Sequence, residues 1–366
     1  MKKMKLTALF LLIAMLLGLT ACGGGKPASS PSSAPSDAPA ASTPAEPDAP
    51  VPDGEVYNLR MSCEANEGQW LAIMLQDYAD DVAEATNGRV QIELNLGSSL
   101  GAAGDVWSMF TQGAIEMINV GVAHAGHFPV TNVVQTPFVV SSPECAEAVM
   151  NTLMENGMLA EFTDNMHVVA FLPTLMQQFM FVDREVKTVE DLSGMVIRGS
   201  SAPLVACIEA LGSTAISIPI PDLYMSLSQG VADGTITSVD AADVFKLQDV
   251  CKYVLDMPIS TGMNFIGINK DVWNAFPADI QEAMDKVGAE YQQKYLELNR
   301  QAGEECLASM VAGGATVLTP SDELVNACKE ATAGQLDQLI ADLNAEGLDG
   351  AAIVAKAQEA IAAFEG

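Results

Sequence analysis

YNLRMSCEANEGQWLAIMLQDYADDVAEATNGRVQIELNL, residues 57–96, is the stretch on which the fold turns. Tyr57 to Ser62 alternates apolar and polar residues with the period of two that a half-buried strand requires. Trp70 to Thr86 then carries Leu71, Met74, Leu75, Tyr78, Val82 and Ala85 at helical spacing, and Asn87-Gly88 ends it. Val90 to Leu96 alternates again. A Gly- and Ser-rich turn leads into a second helix with Val106, Met109 and Phe110 on one face, and Met117–Gly121 reads as the next buried strand. This β-α-β-α-β order predicts a parallel sheet with helices on both faces.

Further on, Val168–Leu172, Met195–Arg198 and Ala215–Ile218 are short apolar strands, and Asp222–Gln229, closed by Gly230, is a short helix with an acidic first turn. Past Pro277 a helical pattern runs unbroken to about Met310, with Ile280, Met284, Val287, Tyr291, Tyr295 and Leu298 in its apolar stripe. At 1.5 Å per residue it extends on the order of 45 Å. A helix of that length runs along more than one lobe, and some three hundred residues of folded chain suit two.

Toward the N-terminus the character changes. Lys2, Lys3 and Lys5 precede an apolar run from Leu6 to Leu17, and Leu19-Thr20-Ala21-Cys22 follows as a small-residue cleavage site ending in cysteine. This resembles a bacterial lipobox, which implies a signal peptide over 1–21, diacylation of Cys22 with chains such as palmitate, and a lipoprotein anchored outside the cytoplasm. An ordinary secretory signal that happens to contain a cysteine is the alternative. Residues 22–54, almost wholly Gly, Ala, Ser, Pro and Asp after the cysteine, read as a disordered tether, because such a composition buries too little apolar surface to offset the entropy of ordering.

The chain is acidic, with a formal net charge of −30. Removal of the three signal-peptide lysines leaves 14 basic against 47 acidic residues, a net charge of −33. Nucleic acid is therefore excluded as a partner, since binding it rests on clustered Lys and Arg. Contact with a membrane is left to the lipid. Cys63, Cys145, Cys207, Cys251, Cys306 and Cys328 show no CxxC and no metal-finger spacing, so they are expected as small buried hydrophobes rather than a disulfide framework. No cofactor is implied.

Six segments in order resemble the solute-binding proteins of tripartite ATP-independent periplasmic (TRAP) transporters, of the DctP type. They are the turn at Ser99-Leu100-Gly101, Gly113–Met117, Pro137-Phe138, Thr188–Arg198, Tyr224–Gly234 and Val272–Pro277. The resemblance implies an α/β, two-lobed periplasmic-binding-protein-like fold with mainly parallel sheets, hinge strands and one long helix spanning both lobes. It places lobe I at 55–175 with 264–303 and lobe II at 176–263 with 304–366. It implies capture of a small carboxylate in the cleft and delivery to the membrane permease subunits of such a transporter, with no enzymatic activity. The location is the outer face of the cytoplasmic membrane, or the periplasm in a two-membrane envelope.

Arg198 is the residue on which the chemistry centres. Among five arginines it alone ends an apolar strand, with Met195-Val196-Ile197 before it and Gly199-Ser200-Ser201 after it. A permanently charged guanidinium there needs an anion, and its planar fork suits a carboxylate. Strand ends are where α/β sheets bind ligands. From the residues alone, a structural ion pair with an acid of the other lobe satisfies the same need; the resemblance implies the ligand. Where many family members carry a second arginine this chain has Gln177, and where they carry an asparagine after the Asp-Gly pair it has Thr237. Both departures favour a monocarboxylate. Asn66, Glu67 and Trp70 match positions that reach the ligand in the family, Ser99 sits in a cleft loop, and Asp240 and Phe265 are further candidates whose alternative is ordinary packing.

Gly97-Ser98-Ser99-Leu100-Gly101 also fits G-x-S-x-G between a strand and a helix, the pattern of a hydrolase nucleophile elbow. His124, His127 and His167 all lie in the first half of the chain, whereas a hydrolase of this order needs a later histidine base. His124-x-x-His127 lacks the further ligands of a zinc site. An extracellular sensor module feeding a receptor would share the fold and site of a transport protein.

Overall fold

Tyr57–Ser62 (β1), Val90–Asn95 (β2) and Met117–Gly121 (β3) pair in parallel around a central β1, with Tyr57 opposite Val90 and Met61 opposite Met117. Trp70–Ala85 (α1) and Ala103–Thr111 (α2) make the crossovers. The computed structural model describes residues 54–121 and 127–366. The segments expected as signal peptide and tether, up to Asp53 and including Cys22, lie outside the described residues, as does His124.

After β3 come Asn132–Gln135 (α3), Pro143–Glu155 (α4) and Ala160–Thr163 (α5). Ser142 accepts a hydrogen bond from the Cys145 N–H, and Pro143 occupies the first turn of α4, where its missing N–H has no cost. Met166–Phe181 (β4) follows, sixteen residues where sequence periodicity shows only Val168–Leu172. Pro173 and two register shifts, at Val168/Ala170 and Pro173/Met176, interrupt its alternation without ending the strand.

Val196–Arg198 (β5), Ala202–Ala210 (α6), Thr214–Ile216 (β6), Ile220–Ser228 (α7) and Gly234–Thr237 (β7) build the second lobe. Val239–Val244 (α8), Tyr253–Leu255 (β8) and Ser260–Asn269 (β9) lead back toward the first. Lys270–Ala275 (α9), capped by the Asn269 carboxamide, precedes the long helix Ala278–Ala312 (α10). Thr316–Leu318 (β10), Asp322–Thr332 (α11), Gln335–Ala345 (α12) and Gly350–Glu365 (α13) complete the chain.

The strands run in the order β2-β1-β3-β9-β4-β7-β5-β6, with β8 also on β4 and β10 on β8. Among the described residues five pairings are parallel; the four antiparallel ones all involve β4 or β9. β4 pairs with β9 as far as Gln177 and with β7 from Gln178 onward, so one continuous strand crosses from the first lobe's sheet into the second's. These are the hinge strands.

Helix α10 also spans both lobes. Ile280, Met284, Tyr291 and Tyr295 enter the core beneath α1, while Cys306 and Met310 enter the second lobe's core with Leu223, Leu227 and Leu247. The helix touches the hinge at Gly288, where an added Cβ would stand 2.8 Å from the Val169 carbonyl oxygen and 2.5 Å from a Val169 methyl. One assignment from the sequence needs correction. Residues up to Thr332 do pack in the second lobe, through Leu324 and Cys328, but α12 and α13 return to the first, burying Leu339, Leu343, Ile353, Val354 and Ala357 against Val149 and Leu153 of α4. An amphipathic helix specifies an apolar face, not the lobe that covers it. All six described cysteines are buried.

Candidate functional site

Between the lobes lies a cavity of about 90 Å³ walled by all three parts of the fold. The first lobe contributes Trp70, Asn119 and Gln135, the hinge strands Gln177 and Asn264, and the second lobe Arg198, Thr237 and Asp240. Tyr295 closes it from α10. Two hinge strands and a shared helix thus bring together side chains more than two hundred residues apart in sequence.

Arg198 ends β5 and is 1% exposed, the largest of the fully buried side chains. Its Nε donates to the Ile218 carbonyl oxygen at 3.1 Å. Burial alone acts on its titration, lowering it to about 10, and no carboxylate pairs with it among the described residues. The guanidinium therefore stays charged at neutral pH without a counterion. The alternative left open by the sequence, an internal ion pair across the lobes, is not found among the described residues. Arg198 also borders a second, more open cavity with Ser98, Gly101 and Asp222, which places the Gly97–Gly101 turn at the cleft mouth.

Gln177, 6% exposed, accepts a hydrogen bond from Ser260 Oγ at 3.1 Å and so keeps its amide nitrogen for the cavity side, beside Gly262. Thr237, the last residue of β7, is 2% exposed. The Trp70 ring lies 5.9 Å from that of Tyr295, and its Nε1 is buried with no hydrogen-bond partner. Asp240 is 3% exposed; burial pushes its carboxyl up to about 6 against the pull of the Ser238 hydroxyl and the Ala241 and Leu175 backbone N–H groups, and its Oδ1 has no partner. Burial and the neighbouring Asp240 charge both raise Tyr295. Ser200 adds another buried hydroxyl without a partner on the same wall.

The other expected residues stand elsewhere. Asn66 and Glu67 are exposed on the loop before α1, where the Asn66 N–H donates to Gln69 Oε1 at 2.5 Å and helps end that loop. Ser99 is exposed in its turn, and its neighbour Ser98 reaches the cleft mouth instead. Phe265 is fully buried in an aromatic cluster, 5.1 Å from both Phe128 and Phe162. It faces the core because β9 alternates its side chains, and Asn264, next to it, faces the cavity. His127 stacks on Trp107 at 5.3 Å. His167 lies against Trp273 and meets Asp285 at 2.6 Å.

Asn119, Gln135, Ser200, Ser238, Asn264 and Tyr295 line the cavity without having been singled out by the sequence. Asn119 carries a local signal, a carboxamide inside the otherwise apolar strand β3, where its Nδ2 donates to the Phe265 carbonyl oxygen at 3.1 Å. Tyr295 carries none, because its place in the apolar stripe of α10 is that of a core residue.

The sequence matches the bacterial extracellular solute-binding protein family 7, DctP, over residues 61–342. A solute-binding protein of Albidiferax ferrireducens is 24% identical over 276 residues, which are 70% of this chain and 77% of that one. A marine-metagenome TRAP solute-binding protein specific for aromatic acids, crystallised with 3-hydroxybenzoate, superposes with a TM-score of 0.78 at 20% identity, covering 86% of this chain and all of that one. The TRAP solute-binding protein of Rhodoferax ferrireducens, with copurified benzoate, superposes with a TM-score of 0.77 at 22% identity, covering 85% and 99%. A family match across most of the folded chain, on a two-lobed frame with hinge strands and a shared helix, makes this chain a member of the DctP family of TRAP-transporter solute-binding proteins, which are transport binding proteins and not enzymes.

Proposed function

We propose that the protein captures a small organic acid outside the cytoplasm and hands it to the membrane permease subunits of a TRAP transporter. The observation that carries this reading is Arg198, a fully buried guanidinium whose one side-chain hydrogen bond runs to a backbone carbonyl and which has no carboxylate partner among the described residues. A charge so placed costs free energy until an anion joins it. A ligand carboxylate supplies the anion and is gripped by two lobes at once. With the neutral Gln177 and Thr237 on the wall and no second arginine among the described residues that line it, one carboxylate per ligand is the better match. The solved relatives described above hold 3-hydroxybenzoate and benzoate, each with one carboxylate.

The acidic body repels anions in bulk, but screening over about 8 Å at physiological salt leaves capture to the local field of the cleft. We assign residues 55–175, 264–303 and 335–365 to one closing lobe and 176–263 with 304–332 to the other. Cys22 is the lipidation site and the residues after it the tether, which keeps the binding protein beside its permease. Substituting Cys22→Ala then releases the protein from the membrane fraction.

The deciding experiment is a thermal-shift screen of the protein against organic acids. A ligand at a hundredfold excess over its dissociation constant adds about 2.7 kcal/mol of stability. Arg198→Ala retains the fold and loses every such shift; an Arg198→Ala variant that binds with wild-type affinity refutes the reading.

A further inference from the structure

The cavity holds a second buried charge that the carboxylate of a ligand does not satisfy. Asp240 is 3% exposed, lines the same cavity as Arg198, and leaves its Oδ1 without a hydrogen-bond partner. Trp70 Nε1, from the opposite lobe, is an orphaned donor on the same cavity. Tyr295 stands beside both: its ring is 5.9 Å from that of Trp70, and the Asp240 charge acts on its phenol. Buried polar groups are almost always paired, so an orphaned acceptor and an orphaned donor on one wall describe the complement of a missing group.

We propose that Asp240 is a specificity residue and that the acid held by Arg198 bears a hydroxyl at the end remote from its carboxylate, donating to Asp240 Oδ1 and accepting from Trp70 Nε1. This rests on the reading of Arg198 as the carboxylate grip. A hydroxyl is the smallest group that is both donor and acceptor. An ammonium would serve Asp240 but leave Trp70 Nε1 without an acceptor. An α-amino acid, whose two charges stand one carbon apart, would further require Asp240 close to Arg198, yet burial alone acts on that guanidinium. An acid with no donor at that end leaves Asp240 Oδ1 buried and unpaired, so the unhydroxylated analogue binds roughly ten- to a hundredfold more weakly.

The test titrates the protein calorimetrically with matched pairs: benzoate and 3-hydroxybenzoate, phenylacetate and 3-hydroxyphenylacetate, hexanoate and 6-hydroxyhexanoate, with 3-(aminomethyl)benzoate as the ammonium arm. The hydroxylated member of at least one pair is expected to bind tenfold or more tightly than its partner and than the ammonium acid. In Asp240→Ala that preference falls to within threefold, through tighter binding of the plain acid as well as weaker binding of the hydroxylated one, and Asp240→Asn, which keeps an acceptor oxygen, retains part of it. Melting of each ligand-free variant checks the fold. Equal binding within the pairs, tightest binding by the ammonium acid, or an unchanged preference in Asp240→Ala overturns the proposal and leaves the Arg198 reading intact. Binding of no acid at all overturns both.

Discussion

Arg198 Nε donates to the Ile218 carbonyl oxygen at 3.1 Å, which ties the only buried arginine among the described residues to the chain just before α7. That bond restrains the guanidinium on the cavity wall, so the side chain loses less rotamer freedom when an anion arrives. Arg198→Lys keeps the charge but gives up the fork and the tie to Ile218; affinity for any bound acid falls at least tenfold by calorimetry. Arg198→Met, which removes an uncompensated buried charge at similar volume, leaves the ligand-free melting temperature unchanged or raised, because a buried charge without a partner costs free energy in the folded state. A ligand-free Arg198→Met protein that melts well below wild type contradicts this account of the site.

Closure has its own bond. Gln69, on the loop before α1, donates from Nε2 to the Val244 carbonyl oxygen at the end of α8, and its Oε1 holds the Asn66 N–H. Gln69→Ala therefore unlatches the lobes and frees its own loop together. The expected cost is about 1 kcal/mol, the net worth of one such bond. Stopped-flow measurement should show it as severalfold faster ligand release with little change in the association rate.

Gly288 supports a prediction whose sign separates packing from propensity. In an exposed helix, Gly→Ala stabilises by about 1 kcal/mol. Here the new Cβ would stand 2.8 Å from the Val169 carbonyl oxygen, so α10 must lift off β4. Overpacking of this kind costs about 1–3 kcal/mol. Gly288→Ala is expected to lower the melting temperature, and any rise would show that the helix is not held against the hinge strand.

Stability should depend on pH through Glu161. Burial, with the nearby Glu346 charge, pushes its carboxyl up to about 8 although the Val130 N–H donates to it at 3.1 Å. An unfolded glutamate titrates near 4.3, so between those values the folded chain holds a proton that the unfolded chain has lost. Unfolding free energy therefore falls as pH rises through about 8 and recovers on acidification toward 5. Asp240, pushed up to about 6, adds a contribution of the same sign over the lower part of the range. The Glu161→Gln protein should melt higher than wild type at pH 8.5 and show a flatter profile between 5 and 8.5; parallel profiles would remove Glu161 as the cause.

Much of this was readable locally. The alternation in β1 and β2, the stripe of α1 and the stripe of α10 each state in consecutive residues which face is apolar, and each element forms within a few residues of its expected bounds. Arg198 stood out because a charge at the end of an apolar strand conflicts with its own neighbourhood. The hinge strands were less legible: Pro173 and the register shifts around it hide the length of β4, and Gly262 and Gly267 leave β9 without the alternation of bulky side chains that marks a strand. Phe265 and Asn264 show how a strand one residue out of phase exchanges a core residue for a cavity residue.

Sequence alone determined the strands and helices with clear periodicity, β1, α1, β2 and α10 among them, the acidic charge, and the one cation around which a site could form, because periodicity and burial conflicts are properties of neighbouring residues. Only the tertiary structure decided that Arg198 has no carboxylate partner among the described residues, that Asp240, Trp70 and Tyr295 line one cavity, and that α12 and α13 return to the first lobe. A helix or strand records how apolar each face is. Which surface covers that face, and which charge is left unpaired, depends on segments far away in the chain.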